Sequence, residues 1–321
     1  MNILITNISY HCSIGAIKLL RKITTHSINI IGTSNIPFGY SSGSLLVNRF
    51  YEVTSVENKE LYLRQIKEIC KKCDIDFILS SDEKEQLIFS SNLDILKGKV
   101  VINTVDIIEL FTHKFEATQA ISKLGIPTPK IYLKTELSEI SNKKVIVRKN
   151  VSCCSYGIHV LNKVNEQTIE EYLNEDCFIQ EFIDGDEYTI DVLCDINGTP
   201  INIIPRKRLA IRNGISYKCL IEKNDILIEL CKKIYNAYKI PGFSNVQFIV
   251  NKKDAYFIEL NPRLGGTTIA SSLCGDNLME IYIDHFIYNL PLKKSIVKWN
   301  SVVTRYYEET VYYTENERNE K

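Results

Sequence analysis

Short apolar runs alternate with amphipathic stretches through the first hundred residues. Ile3–Thr6, Ile28–Thr33, Phe77–Ser80 and Val100–Asn103 have strand length, and the stretches between them, Leu61–Cys73 among them, repeat at helical spacing. That rhythm predicts βαβ units around a parallel sheet, a doubly wound N-terminal domain over residues 1–103. A helix is predicted over Thr112–Leu124, because Gly125 and then Pro127 and Pro129 follow in the order of a helix cap and residues unable to continue it. Beyond it the pattern becomes one of hairpins: Val145–Lys149, Ile158–Val164, Cys177–Ile183, Glu187–Asp195 and Pro200–Ile211, the last pair joined by Asn197–Gly198. The expected class is α/β followed by α+β, with lobes over 104–187 and 188–321 and a polar tail after Thr314.

The most informative stretch is residues 245–263, two strand-like runs around a polar turn. With the turn at Lys252–Asp254, residues 251 and 255 face each other, and the same register sets Gln247 opposite Glu259, with Asn261 two residues further on that face. Three oxygen-bearing side chains then converge among Val, Phe, Ile and Leu. A buried polar cluster must be satisfied, and a hard cation carrying phosphates would do so with a single carboxylate from the protein. A solvated edge hairpin is the plainer alternative.

Composition narrows the chemistry. Lys plus Arg and Asp plus Glu number 39 each, which removes the basic field of a nucleic-acid binder. No apolar run reaches the ~20 residues of a membrane span, and a cytoplasmic protein without membrane or nucleic-acid partners is expected. The loop after the first strand holds a single glycine, so a dinucleotide fingerprint is absent. Ten cysteines lie scattered in apolar segments; the one CxxC pair, Cys70 and Cys73, has no second pair or histidine cluster at zinc spacing.

Glu259-Leu-Asn261-Pro-Arg263 and the small-residue stretch 265–271 resemble the metal-binding strand pair of ATP-grasp enzymes, most nearly the carbamoyl-phosphate synthetase large subunit and related single-chain ligases. The resemblance covers nearly the whole chain and implies a two-lobed ATP-grasp fold after the N-terminal domain. It implies that Glu259 and Asn261 hold Mg²⁺, with Mn²⁺ as the alternative, that Gln247 assists, and that Arg263 contacts the transferred phosphoryl group. His113-Lys114 and Leu124-Gly-Ile-Pro-Thr-Pro129 resemble the family's start and stop around one helix, which puts Lys114 on ATP phosphate. Val145–Lys149 is similar to the strand whose basic residue, here Arg148, reaches the same phosphates. Gln180-Glu-Phe-Ile-Asp-Gly-Asp-Glu187 is similar to the inter-lobe linker, so the backbone of Glu181 and Ile183 around Phe182 would meet adenine, Gln180 its amino group and Glu187 the ribose.

Two further segments are implied with less definition. In the basic stretch Pro205–Lys218, Arg212 and Lys218 are candidates for a carboxylate or phosphate clamp. Asp82, Glu83 and Glu85 follow a strand end and could receive an ammonium group, the alternative being solvated acids at a helix N-terminus. Val151–Tyr156 stands where the family has a glycine-rich loop, a departure that bears on closure over the phosphates. The implied activity is ATP-dependent joining of a small carboxylate to an amine or ammonia through an acyl phosphate, with a homodimer as the assembly considered. A phosphotransferase, or a nucleotide-binding regulatory protein of weakened activity, remains the alternative.

Overall fold

The structure, a computed structural model, describes residues 1–96, 99–133, 136, 140, 143–152, 156–162, 176–252 and 254–314. The chain forms two compact units, one of Met1–Val105, Arg263–Val297 and Arg305–Lys321, the other of Asp106–Pro262 and Lys298–Thr304. The expected tail after Thr314 lies outside the described residues.

The first unit is built on four parallel strands, β1 (Asn2–Ile5), β2 (Asn29–Ser34), β3 (Arg49–Glu52) and β4 (Phe77–Leu79), in the order β3-β2-β1-β4. Its helices are α1 (His11–Leu20), α2 (Lys59–Lys72), α3 (Glu83–Ser90) and the short α4 (Leu93–Leu96). The apolar residues Tyr62, Ile66, Ile69 and Cys73 recur at intervals of three and four, which puts them on one face of α2 against Leu4, Ile31 and Ile78 of the sheet. Because the chain runs outward from β1 through β2 to β3 and returns as β4, the strand order reverses between β1 and β4. Ligands of open α/β sheets bind at the carboxyl ends of strands at such a switch point. The strand expected at Val100–Asn103 is reduced to one bridge, Val100 to Ile78, after which the Asn103 carbonyl accepts from Ser90 Oγ and the chain turns into the next helix.

The second unit opens with α5 (Val105–Thr112) and α6 (Lys114–Lys123). The helix expected over Thr112–Leu124 is α6, with Thr112 instead ending α5: His113 is extended (φ −89°, ψ 101°) and begins α6 afresh. A smaller antiparallel sheet follows, β5 (Ile131–Tyr132), β6 (Val145–Lys149), β7 (Ile158–Leu161) and β8 (Cys177–Glu181), ordered β5-β8-β6-β7. The larger antiparallel sheet contains β9 (Asp186–Cys194), β10 (Pro200–Arg212), β11 (Ile215–Ile221), β12 (Gly242–Val250), β13 (Ala255–Asn261) and β14 (Ser301–Thr304), ordered β13-β12-β9-β10-β11-β14. Between β11 and β12 runs α7 (Asp225–Ala237), started by Asn224, whose side chain accepts from Leu227 N–H.

Alternation gives the larger sheet two unlike faces. Tyr188, Ile190, Val192, Val246, Phe248, Phe257 and Leu260 bury one face against Leu227, Cys231, Ile234 and Tyr235 of α7 and Ala117 and Ile121 of α6. The other face carries Glu187, Thr189 and Asp191 of β9, Arg206 and Arg208 of β10, Asn245 and Gln247 of β12, and Glu259 and Asn261 of β13. Returning to the first unit, α8 (Thr268–Leu273) and α9 (Leu278–Phe286) pack on α1.

The β12–β13 hairpin corrects the expected register. Val250 rather than Asn251 faces Ala255, since Asn251 and Asp254 close the turn by a backbone and a side-chain bond of 3.0 Å each. Continued from that turn, Gln247 would face Ile258. A β-bulge between Phe248 and Gln247 takes up the extra residue and restores Gln247 opposite Glu259 and Asn245 opposite Asn261.

Candidate functional site

In the second unit the polar face of β12 and β13 and the basic end of β6 form one cluster. Glu259 Oε1 accepts from Gln247 Nε2 at 2.8 Å and from Asn261 Nδ2 at 3.2 Å. Its other oxygen accepts from Arg148 Nη2 at 3.4 Å, and Arg148 Nη1 donates to the Ile258 carbonyl. Arg148 is buried, and its Nε has no hydrogen-bond partner among the described residues. Burial lowers its pKa, with the Glu259 carboxylate working against that shift. A guanidinium with one idle N–H beside a carboxylate and two amides has donor capacity in hand for an anion.

Lys114 opens α6, and its side chain is buried beside the strand carrying Arg148. Its Nζ donates to the Ser152 carbonyl, its backbone N–H to the Asn150 carbonyl, and Asn150 Oδ1 accepts from Phe115 N–H. The lysine thus stands at a helix N-terminus directed to the segment that follows β6. Of that segment, Cys153, Cys154 and Ser155 lie outside the described residues. Gly157, which follows it, has φ +70°, and a Cβ there would meet Lys149 at 2.7 Å.

The segment from β8 into β9 places the remaining nucleotide candidates. Gln180 is buried with its Nε2 unpartnered among the described residues. The Glu181 N–H donates to the Lys130 carbonyl, and its carboxylate accepts from Lys130 N–H at 3.2 Å, so the Glu181 N–H is not available to a ligand. Phe182 lies under Lys144 Nζ, 3.5 Å from the ring centre, and Ile183 is buried. Gly185 is demanded by the path: a Cβ there would lie 2.5 Å from the Val250 carbonyl oxygen. Glu187 pairs with Arg208 at 3.2 Å and is the more exposed partner.

A cation fits this donor set on chemical grounds. The hairpin offers one carboxylate and two amide oxygens, and among the described residues no group of three or more His, Cys, Asp or Glu is placed to hold a metal. That is the donor set of a Mg²⁺ that takes its other ligands from phosphates and water rather than from a protein cage. The two amides now present nitrogen to Glu259, and presenting oxygen requires each to turn over.

The basic hairpin β10–β11 separates the two expected clamp residues. Arg212 is exposed and stacks over Tyr217, 3.8 Å from its ring centre, while Lys218, adjacent to the Cys219 that faces Arg208, projects exposed from the opposite face. Inward on the polar face instead are Arg206 and Arg208, which the sequence reading did not single out. Arg206 Nε and Nη2 hold Asp191 at 2.7 and 3.2 Å, both side chains 1% exposed. Strand alternation from Arg206 to Arg208 was the available signal.

The first unit gathers the other candidates at its switch point. Asp82 caps α3, accepting from the Lys84 and Glu85 N–H groups and from Asn7 Nδ2 at 3.0 Å. Glu83 pairs with Arg263 through Nε and Nη2, each 3.0 Å. Glu85 is fully buried, accepting from Thr6 and Ser80 on one oxygen and from Tyr62 on the other, which removes it from any ligand-facing role. Burial, and then the nearby Asp82 charge, raise its pKa to about 7 against the three hydroxyl bonds. His11 lies beside Cys12 Sγ at 3.6 Å, and burial, reinforced by the charges of Arg305 and Arg263, lowers its pKa to about 4.

A family profile described as "ATP-grasp in the biosynthetic pathway with Ter operon" matches residues 174–311. Tyramine–L-glutamate ligase of Methanocaldococcus jannaschii is 25% identical over 238 residues, 72% of this chain and 70% of its own length. The carbamoyl phosphate synthase large chain of Agathobacter rectalis is 26% identical over 174 residues, 46% of this chain and 16% of that one. Among solved structures, N5-carboxyaminoimidazole synthetase from Staphylococcus aureus complexed with ADP matches at a TM-score of 0.73 and 14% identity, over 92% of this chain and 80% of the other. A parallel switch-point sheet, followed by a small and a large antiparallel sheet, gives this chain the ATP-grasp fold.

Proposed function

We propose that the protein is an ATP-dependent, ADP-forming ligase that joins a small carboxylate to an amine or ammonia through an acyl phosphate. The observation that carries this reading is the convergence of buried Arg148, Lys114 and the Gln247–Glu259–Asn261 trio within one unit, where Arg148 keeps an unpartnered N–H. In this reading Arg148 and Lys114 hold nucleotide phosphates, and Glu187 accepts from the ribose hydroxyls. The carbonyl of Glu181 and the backbone of Ile183 meet the adenine edge, and Gln180 lies near its amino group. Glu259 and Asn261, with Gln247, would hold Mg²⁺, which when bound supplies charge neutralisation to the moving phosphoryl group.

The residues named bind and orient; none is required as a nucleophile, since the carboxylate oxygen attacks the γ-phosphorus and ADP departs. The amine then attacks the acyl carbon and phosphate leaves. Screening amino acids and small carboxylates, alone and in pairs, for MgATP-dependent ADP release tests the reading. The expected result is release that needs a carboxylate and rises with an amine. With the carboxylate alone, hydroxylamine should trap a hydroxamate, and ¹⁸O from the carboxylate should appear in phosphate. AMP and pyrophosphate in place of ADP, or a phosphorylated end product unaffected by any amine, would overturn it.

A further inference from the structure

We propose that Arg206 and Arg208 form a second anion subsite on the polar face of the larger sheet, one that takes the carboxylate substrate and its phosphorylated form rather than the nucleotide. The inference rests on the nucleotide reading above and adds to it a place for the second substrate.

Three observations carry it. Arg206 Nη1 and Arg208 Nε are buried and have no hydrogen-bond partner among the described residues, as is true of Arg148 Nε. An unmet buried donor is costly, more so on a charged group, so guanidiniums that keep idle N–H groups are built to meet an acceptor. The remaining guanidinium nitrogens are already fixed. Arg206 grips Asp191 through Nε and Nη2, and Arg208 donates to the Gly214 carbonyl at 2.6 Å and pairs with Glu187 at 3.2 Å. Each side chain is therefore held in place with one guanidinium nitrogen unpartnered among the described residues, a preorganised arrangement. Burial disfavours the charge on Arg206, and Asp191 more than offsets this, so the guanidinium stays cationic.

The third observation is position. Arg206, Thr189, Gln247 and Glu259 stand opposite one another in a row across β10, β9, β12 and β13. Two strand spacings separate Arg206 from Gln247, roughly 10 Å between backbones, which long side chains shorten. An anion held by β10 would thus lie beside the group held at β12 and β13, on the same face, as a phosphoryl acceptor must. The expected clamp residues Arg212 and Lys218 lack this placement, one being stacked on Tyr217 and the other on the far face. Because both donors are shielded from water, the anion enters desolvated, where charge-assisted bonds are strongest.

Inorganic phosphate is the probe. Isothermal titration of phosphate into the full chain is run with and without saturating MgADP, for the wild type, Arg208→Gln, and the double variant Arg206→Met with Asp191→Leu, which leaves no unpaired buried charge. Circular dichroism confirms folding of each. The expected result is phosphate binding to the wild type that weakens at least tenfold in both variants, with MgADP affinity changed less than threefold in the double variant. Unaltered phosphate affinity in both variants, or no phosphate binding to the wild type in either condition, overturns the subsite. Failure of MgADP to bind the wild type would instead overturn the nucleotide reading, and the titrations without nucleotide then decide the subsite alone.

Discussion

Arg148 and Glu259 form an ion pair that ties the smaller sheet of the second unit to β13 at the edge of the larger one, with the arginine side chain 4% exposed and the glutamate 22%. The pair gives Glu259 two duties, as counter-ion to a buried guanidinium and as the only carboxylate in the hairpin trio. Glu259→Ala should lower turnover at least about 100-fold, equivalent to roughly 2.7 kcal/mol. It should also destabilise the unit by about 3 kcal/mol, because Arg148 is left buried without its counter-ion. Glu259→Gln keeps the volume and should lose turnover with a smaller drop in urea midpoint. Wild-type kinetics at saturating Mg²⁺ in both variants would remove Glu259 from the site.

Glu187 is half exposed and its ion pair with Arg208 bridges β9 and β10. A ribose contact is made equally in the ground and transition states, so Glu187→Gln should raise KM for ATP about tenfold and leave kcat within about twofold. Steady-state kinetics with ATP varied reads the split. A fall in kcat at unchanged KM would assign this glutamate to the chemistry instead.

The Arg206–Asp191 pair is buried on both sides, so removing one partner strands the other. Arg206→Met alone should cost about 3–5 kcal/mol in urea unfolding. Adding Asp191→Leu should recover much of that loss, since two apolar side chains replace a pair whose desolvation was costly. A double variant no more stable than the single would show that Asp191 is held by other groups.

Two groups of the first unit titrate in opposite senses. Glu85 has its pKa raised from 4.5 to about 7, so between these values the folded chain binds more protons than the unfolded one and stability falls as pH rises. His11 has its pKa lowered from 6.5 to about 4, so between these values the unfolded chain binds more protons and stability rises with pH. The shifts are similar, each equivalent to roughly 3 kcal/mol, and they oppose one another from about pH 4.5 to 6.5. Glu85→Gln should therefore unmask a rise in stability across that window, and His11→Asn a fall. Thermal melts of the three proteins at half-unit pH intervals check both signs; parallel profiles would show that neither group is linked to folding.

Local pattern determined much of this protein. The apolar spacing of α2 required a helix with one buried face, and the alternation of Val246 and Phe248 with polar neighbours required a two-faced strand. Gly125, at φ +67°, ended α6 where Pro127 and Pro129 forbade its continuation. Glu259 and Asn261 were legible as neighbours on one face because strand alternation sets them there, and Gln247 joins them through the bulge.

What tertiary structure decided is what depends on residues far apart in sequence. The bulge that returns Gln247 to Glu259 arises from a turn one residue different from the simplest closure, and nothing local distinguishes the two. Likewise, Arg206, Arg208, Arg212 and Lys218 are equivalent cations in a linear chain. Only pairing with β9 and β11 buries the first two beside Asp191 and Glu187 and leaves the last two in water. Glu83 and Glu85 differ by two residues on one helix, yet one meets Arg263 from 180 residues away and the other is enclosed by three hydroxyls. Charge and periodicity are encoded locally, whereas burial and pairing, which set what a charge can do, exist only once distant strands have met.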